Sequence, residues 1–440
     1  MLDKILFSKN CNLIFDVDGC YAGVECVDKP ELRGEPIAIL GNTGGIVIAA
    51  SREAKALGID IGVTAWEIKK VAKGNHVYVF SANFETYAYF SRLLFTVLRR
   101  FTSYLKIYSI DEGLLDLNHV PSNERLKYGL TIIDTIYKET RLKGCVGIAP
   151  NITLMKVAIK IAKKNPVLKG VFEINEHNID WALEQTPVEK LWGIGSARAK
   201  QLRKLGINNA KQFRDYPGVE KIQKLLTVNG RKIQLELKGM QCFRIDEPIE
   251  KKKEISHMRT LGTGTADLNY LKQSLATYTT LASEDMRKEG SVCKEVRLFM
   301  LTDYHRPELP QYGDSIRMSL PAYTMDTVKI IRVVWKLLDS MYHPDYEFKK
   351  IGVTLSKLQN FEDHQYSLYN DDDDPKRINL MKTLDKINKK YKSNTIRSAA
   401  CGIGNGNFEA SRPRMTPSYC TNWSEVLVID KIIGNLKNEE

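Results

Sequence analysis

Two short apolar runs end in acids: Leu13-Ile14-Phe15-Asp16-Val17-Asp18 and, far along the chain, Tyr108-Ser109-Ile110-Asp111-Glu112. Each is aliphatic, β-branched or aromatic, so each predicts a buried strand. An unpaired carboxylate there is costly, and a shared cation is the economical explanation. Neighbours in a strand point to opposite faces, so Asp111 and Glu112 can meet one ion only where the chain turns. Gly113 is expected to supply that turn, with Leu105-Lys106-Ile107-Tyr108 and Leu114-Leu115-Asp116-Leu117 as two hairpin arms. Mg²⁺ suits such a site, because it keeps water and phosphates as ligands and needs only one or two carboxylates per ion. Ordinary surface acids at strand ends are the other reading of the same residues.

The chain has 440 residues, more than one hydrophobic core usually organises, so two to four domains are expected. Its formal net charge of +12 favours an anionic partner, nucleic acid or an anionic membrane surface. No run approaches the length of a membrane span and the first ten residues lack a signal-peptide core. The eight cysteines are scattered without a Cys-x-x-Cys pair, which argues against a zinc module or disulfide framework. A reduced cytoplasm is the expected compartment, with no membrane partner.

Residues 36–40 and 46–50 read as strands around the turn Gly41-Asn42-Thr43-Gly44-Gly45. A short helix follows, capped by Ser51 and ended by Gly58, with Arg52 and Lys55 on one face. These two cations can meet a triphosphate or form a solvated face. From Asn151 to Lys164 a second helix carries Lys156, Lys160 and Lys163 as one stripe opposite Ile152, Met155, Ile159 and Ala162. That stripe serves either solubility or phosphate binding.

Pro187-Val188-Glu189-Lys190-Leu191-Trp192-Gly193-Ile194-Gly195-Ser196 leads into a helix stopped by Gly206, and reads as a helix-hairpin-helix. Gly193 and Gly195 let the backbone approach a DNA phosphate, and the helix beginning at Ser196 offers free N–H groups. Val228-Asn229-Gly230 is a second turn candidate. The charged Lys251-Lys252-Lys253-Glu254 reads as a linker to an α+β module with strands near 255–260, 295–301 and 351–355 and helices near 271–288 and 327–342. Beyond it lie Gln365-Tyr366-Ser367-Leu368-Tyr369, four aspartates, a helix with Met381, Leu384, Ile387 and Tyr391 near one face, and a tail expected to be flexible between contacts.

In this order the motifs resemble Y-family translesion DNA polymerases, especially the UmuC-like branch, over roughly residues 10 to 370. The family's opening pattern is Asp16-Val17-Asp18-Gly19-Cys20-Tyr21-Ala22-Gly23-Val24-Glu25, and its Ser-Ile-Asp-Glu signature stands intact at Ser109-Ile110-Asp111-Glu112. Gly147-Ile148-Ala149-Pro150-Asn151 and Ala162-Lys163 match two further segments. The resemblance implies an α+β right hand: palm (1–28 and 83–172), small fingers (29–82), a helix-hairpin-helix thumb (173–242), an α/β little finger (252–357) and a C-terminal tail (358–440). It implies that Asp16, Asp111 and Glu112 hold two Mg²⁺ ions, with the Val17 carbonyl as a further ligand, and that Asp18 stays outside the metal set. Arg52, Lys55 and Lys163 fall at triphosphate-contacting positions, and Tyr21 at the steric gate against a 2′-hydroxyl. Gly193, Gly195 and Ser196 would grip DNA. Cys20 replaces the family's usual first aromatic. Gln365, Leu368 and Tyr369 resemble a peptide that enters a groove on the bacterial sliding clamp.

The expected function is therefore error-prone, template-directed synthesis from dNTPs on a primer-template in the DNA damage response, in the nucleoid. UmuD-like or RecA-like accessory proteins are further partners the resemblance allows. The fingers segment is too short for a large closing lid, so base-pair checking is expected to be weak. A non-catalytic DNA-binding accessory protein with the same fold, or a metal nuclease, are the alternatives.

Overall fold

The computed structural model describes residues 10–41, 45–247, 251–363, 373–391, 395–402 and 412–426. They belong to two compact units, one of residues 1–248 with 412–440, the other of residues 249–411.

The first unit is built on a five-stranded sheet in the order Leu105–Ile107, Glu112–Asp116, Asn12–Val17, Gly144–Ala149, Val171–Glu173. The central strand Asn12–Val17 is antiparallel to both neighbours, and its alternation sorts its side chains between two cores. Leu13, Phe15 and Val17 join a core with residues of helices Phe84–Leu98 and Arg125–Thr140. Ile14 joins the opposite core, with residues of helix Ile152–Lys164. Asp16, two residues on from Ile14, lies on that second face, and so does Glu112, two residues before Leu114.

The turn before Glu112 is made by residues 108–111, where the Tyr108 and Ser109 N–H groups donate to the Glu112 carbonyl at 2.9 and 3.2 Å. Gly113 therefore does not supply it. It sits within a strand, and a Cβ there would stand 3.1–3.3 Å from Leu98, Leu105 and Phe95, so its lack of a side chain serves helix packing. Chain reversal after the central strand falls instead on Gly19, left-handed at φ 61°, which opens helix Cys20–Glu25.

A three-stranded sheet, Val47–Ala50, Ile37–Leu40, Tyr78–Ser81, carries its own small core that includes Ala38, Leu40, Ile59 and Ile68. Ser51 caps helix Arg52–Ala56 by accepting from the Ala54 N–H. Helices Ile179–Glu184, Ser196–Arg203, Ala210–Asp215 and Val219–Glu236 follow the main sheet. The turn expected at Val228-Asn229-Gly230 is a break inside the last of these, at Thr227 with φ 62°. Glu236, fully buried, accepts from the N–H and hydroxyl of Thr153 at 2.9 and 2.6 Å and from the N–H groups of Cys242 and Phe243. It thereby locks the last helix to the start of helix Ile152–Lys164.

The second unit is a four-stranded antiparallel sheet in the order Gly313–Thr324, Ser291–Thr302, Phe348–Ser356, Glu254–Thr265, packed with helices Leu268–Lys288 and Thr327–Met341. The strand Gly313–Thr324 escapes a periodicity reading because most of it is exposed. The tail is not a separate body. Helix Pro375–Tyr391 is fastened to the second unit by Asp385 on Arg287 at 2.7 and 2.8 Å, by Arg377 on Asp326 and by buried Ile378 and Met381. Tyr391, near the same face as Met381 in the sequence pattern, is 60% exposed. Residues 412–426 belong to the first unit.

Candidate catalytic centre

Asp16 and Glu112 are register partners across the antiparallel pair, and the Val17 N–H donates to the Asp111 carbonyl at 3.1 Å. The three acids thus meet at one sheet end. The Ser109 hydroxyl donates to Asp111 at 2.5 Å. Lys163 pairs with Asp16 and Lys156 with Glu112, so two lysines seven residues apart on one helix face reach the two acids of the facing strands. Lys156 also stands 4.5 Å from the Tyr108 ring centroid. The basic stripe is not a solvated face. Lys160, the third member, donates to the Lys190 carbonyl, and burial holds its pKa down.

Burial raises the Asp16 carboxyl to about 6; the Lys163 charge opposes this, and the charges of Glu112 and Asp111 add to it. Burial disfavours the Lys163 ammonium, yet its pairing with Asp16 outweighs that and raises its pKa. Among the described residues no three His, Cys, Asp or Glu side chains close on one point tightly enough to chelate an ion. The acids face lysines instead. Crowded, partly buried carboxylates neutralised by ammonium groups are a fitting donor set for a divalent cation, which would supply the same charge with oxygen ligands.

Asp18 lies apart from this trio and takes Arg52 at 2.6 Å. Arg52, Lys55, Lys143, Lys163 and Asp18 line a cavity of 690 Å³ beside the acids. Tyr21 stacks on Tyr87 with centroids 4.4 Å apart and meets the Phe84 edge at 6.0 Å. Cys20 is buried in the core beneath, its thiol pushed up to about 12 by burial. Gly193 (φ 80°) and Gly195 precede helix Ser196–Arg203, and the adjoining Trp192 indole N–H donates to the Tyr108 hydroxyl at 3.0 Å. Gln365, Leu368 and Tyr369 lie outside the described residues.

Lys156 and Ser109 were not among the site residues expected from the sequence. The signal for Lys156 was present, since it shares a helix face with Lys163. Ser109 stood in the Ser-Ile-Asp-Glu signature, but its contact with Asp111 depends on the shape of the turn.

Solved structures with this architecture are Y-family polymerases. A chimera of Dbh and Dpo4 superimposes with a TM-score of 0.62 at 20% identity, covering 80% of this chain and 99% of that one. An insertion ternary complex of Dbh DNA polymerase gives 0.52 at 21% identity, with 80% and 99% covered. The sequence pattern of the impB/mucB/samB family matches residues 15–160, its C-terminal domain 252–368 and its helix-hairpin-helix motif 178–207. A domain of unknown function matches residues 379–429. Protein UmuC of Salmonella typhimurium is 33% identical over 419 residues, with 94% of this chain and 98% of the relative covered. DNA polymerase IV of Bacillus velezensis is 29% identical over 395 residues, covering 88% and 91%. The chain belongs to the impB/mucB/samB family of Y-family, UmuC-like polymerases.

Proposed function

We propose that this chain is a DNA-directed DNA polymerase for translesion synthesis, adding dNTPs to a primer 3′-hydroxyl. The observation that carries the reading is the convergence of Asp16, Asp111 and Glu112 at one sheet end beside a basic cavity. Asp16, Asp111 and Glu112, with the Val17 carbonyl, would hold two Mg²⁺ ions. Such ions, when bound, lower the pKa of the attacking hydroxyl and stabilise the leaving pyrophosphate.

The chain's own residues do the rest. Arg52, Lys55 and Lys163 set positive charge along the cavity wall, where it binds the triphosphate and offsets charge that develops on the leaving oxygens. Tyr21 presents a ring held by Tyr87 and Phe84, a wall against a ribose 2′-hydroxyl. Gly193, Gly195 and Ser196 grip the DNA backbone without reading sequence, so binding is salt-sensitive. Gln365, Leu368 and Tyr369 dock to a sliding clamp, and the work is done at DNA, in the cytoplasm and nucleoid. Among the described residues no helix is long and apolar enough to cross a membrane.

Primer extension tests the reading. Purified protein with Mg²⁺ and dNTPs should extend a primer on a template carrying an abasic site. Failure to extend any primer, with Asp111→Ala changing nothing measurable, would favour the accessory-protein reading; primer degradation without nucleotides would favour a nuclease.

A further inference from the structure

Lys156 is held from two sides. Its ammonium donates to Glu112 and stands 4.5 Å from the centroid of the Tyr108 ring, and the residue is 9% exposed. The ring stands on the turn that presents Glu112, since the Tyr108 N–H donates to the Glu112 carbonyl at 2.9 Å. A cation gains from an aromatic face only while the ring stays beside it. Tyr108 is 39% exposed, so packing alone does not fix its ring. The Trp192 indole N–H, donating to the Tyr108 hydroxyl at 3.0 Å, supplies the constraint.

The Trp192 end is fixed in turn. The Trp192 and Phe243 rings meet edge to face with centroids 5.0 Å apart, and the Phe243 N–H donates to Glu236 at 2.9 Å. Glu236 also accepts from the Thr153 hydroxyl at 2.6 Å, and Thr153 precedes Lys156 on the same helix. The contacts form a closed circuit that begins and ends on helix Ile152–Lys164. Gly193 follows Trp192 directly, so the circuit passes beside the glycine hairpin.

We propose that Trp192 and Tyr108 are positioning residues that latch the Lys156 ammonium on Glu112, and so set how readily that carboxylate takes a divalent cation. The proposal rests on the magnesium reading of the three acids, and neither residue needs to touch substrate. Its physical ground is competition at one oxygen. A carboxylate oxygen that accepts from an ammonium cannot also hold Mg²⁺ at about 2.0–2.1 Å, because the two cations repel. The ammonium must leave before the ion enters. Each contact that keeps Lys156 in place therefore weakens Mg²⁺ binding.

The test is calorimetric titration of the full-length chain with Mg²⁺, without DNA or nucleotide, reading the Kd. Trp192→Phe removes the donor and Tyr108→Phe removes only the acceptor; each should lower the Kd about two- to tenfold, the effect of one hydrogen bond. Both variants break the same bond, so the double variant should match either single one. In a Lys156→Met background, where no ammonium is left to latch, both should be silent. A merely structural role would not vanish there. Tyr108→Phe keeps the ring and its packing, so the test stands should the tryptophan variant fold poorly. An unchanged Kd in Tyr108→Phe, or an equal shift with and without the Lys156 ammonium, overturns the proposal. If the parent chain binds no Mg²⁺, the magnesium reading falls and this inference with it; if the parent binds and the variants match it, only the inference falls.

Discussion

Asp16 and Glu112 stand opposite each other across the central antiparallel pair, and both point toward helix Ile152–Lys164. Directly opposed residues lie about 4.5–5.5 Å apart at Cα, so backbone hydrogen bonding alone holds the two acids side by side. The arrangement is unfavourable until a cation joins it. Lys156 and Lys163 fill that need here, each from the same helix face.

Metal affinity should therefore depend on pH through Asp16. Its carboxyl stands at about 6 against an ordinary 3.8, so between those values the folded chain holds a proton that the unfolded chain releases. Stability without metal should fall as pH rises through this window, and be lowest above it. Mg²⁺ offsets that penalty only where the carboxyl is ionised. Thermal melts should show a clear Mg²⁺-dependent rise in Tm at pH 7.5 and a much smaller one at pH 5; equal rises at both would contradict it.

Lys156 should matter more to the metal-free protein than to the loaded one. Its pairing partner Glu112 is largely buried, with side chains 11% and 15% exposed. Lys156→Met leaves that carboxylate alone and should cost about 3 kcal/mol of stability by denaturant titration. Saturating Mg²⁺ should recover most of the loss. Lys211→Ala, which breaks an exposed pair with Glu184, should leave the denaturant midpoint near the parent value and respond to no metal.

The two hairpin glycines should separate fold from grip. Gly193 has φ 80° and a Cβ there would lie 2.9 Å from the Ile233 side chain, so Gly193→Ala should destabilise by about 1–2 kcal/mol. At Gly195 a Cβ meets nothing within 4 Å. Gly195→Ala should keep the parent melting temperature, and a several-fold loss of primer-template affinity should follow from crowding a phosphate. Unchanged affinity would remove Gly195 from the DNA contact.

The strands around the acids were legible because burial on both faces leaves continuous apolar runs, as in residues 13–15 and 114–115. Helix Ile152–Lys164 was legible from its stripe, but not the direction the stripe faces. That depends on which side of the sheet the helix crosses, a long-range property. Gly113 misled for the same reason: a glycine beside two acids suggests a turn, while the constraint comes from Leu98 and Phe95 packing on it from another element. The contacts of residues 412–426 are likewise invisible locally, since Asn83 and Thr416 are 333 residues apart.

Deleting residues 365–369 should abolish stimulation by a sliding clamp and spare basal extension, measured on long primed templates with and without clamp. An equal loss of both would point to misfolding.

Glu236 has a mechanical consequence. By gripping Thr153 it couples the helices that follow the main sheet to the very rod on which Lys156 and Lys163 ride. A rod of 13 residues transmits tilt end to end, so on the proposed reading a pull on the hairpin at Gly193 and Gly195 would reach the two ammonium groups that face Asp16 and Glu112. Strain in a bound duplex would then be geared to readiness to add the next nucleotide.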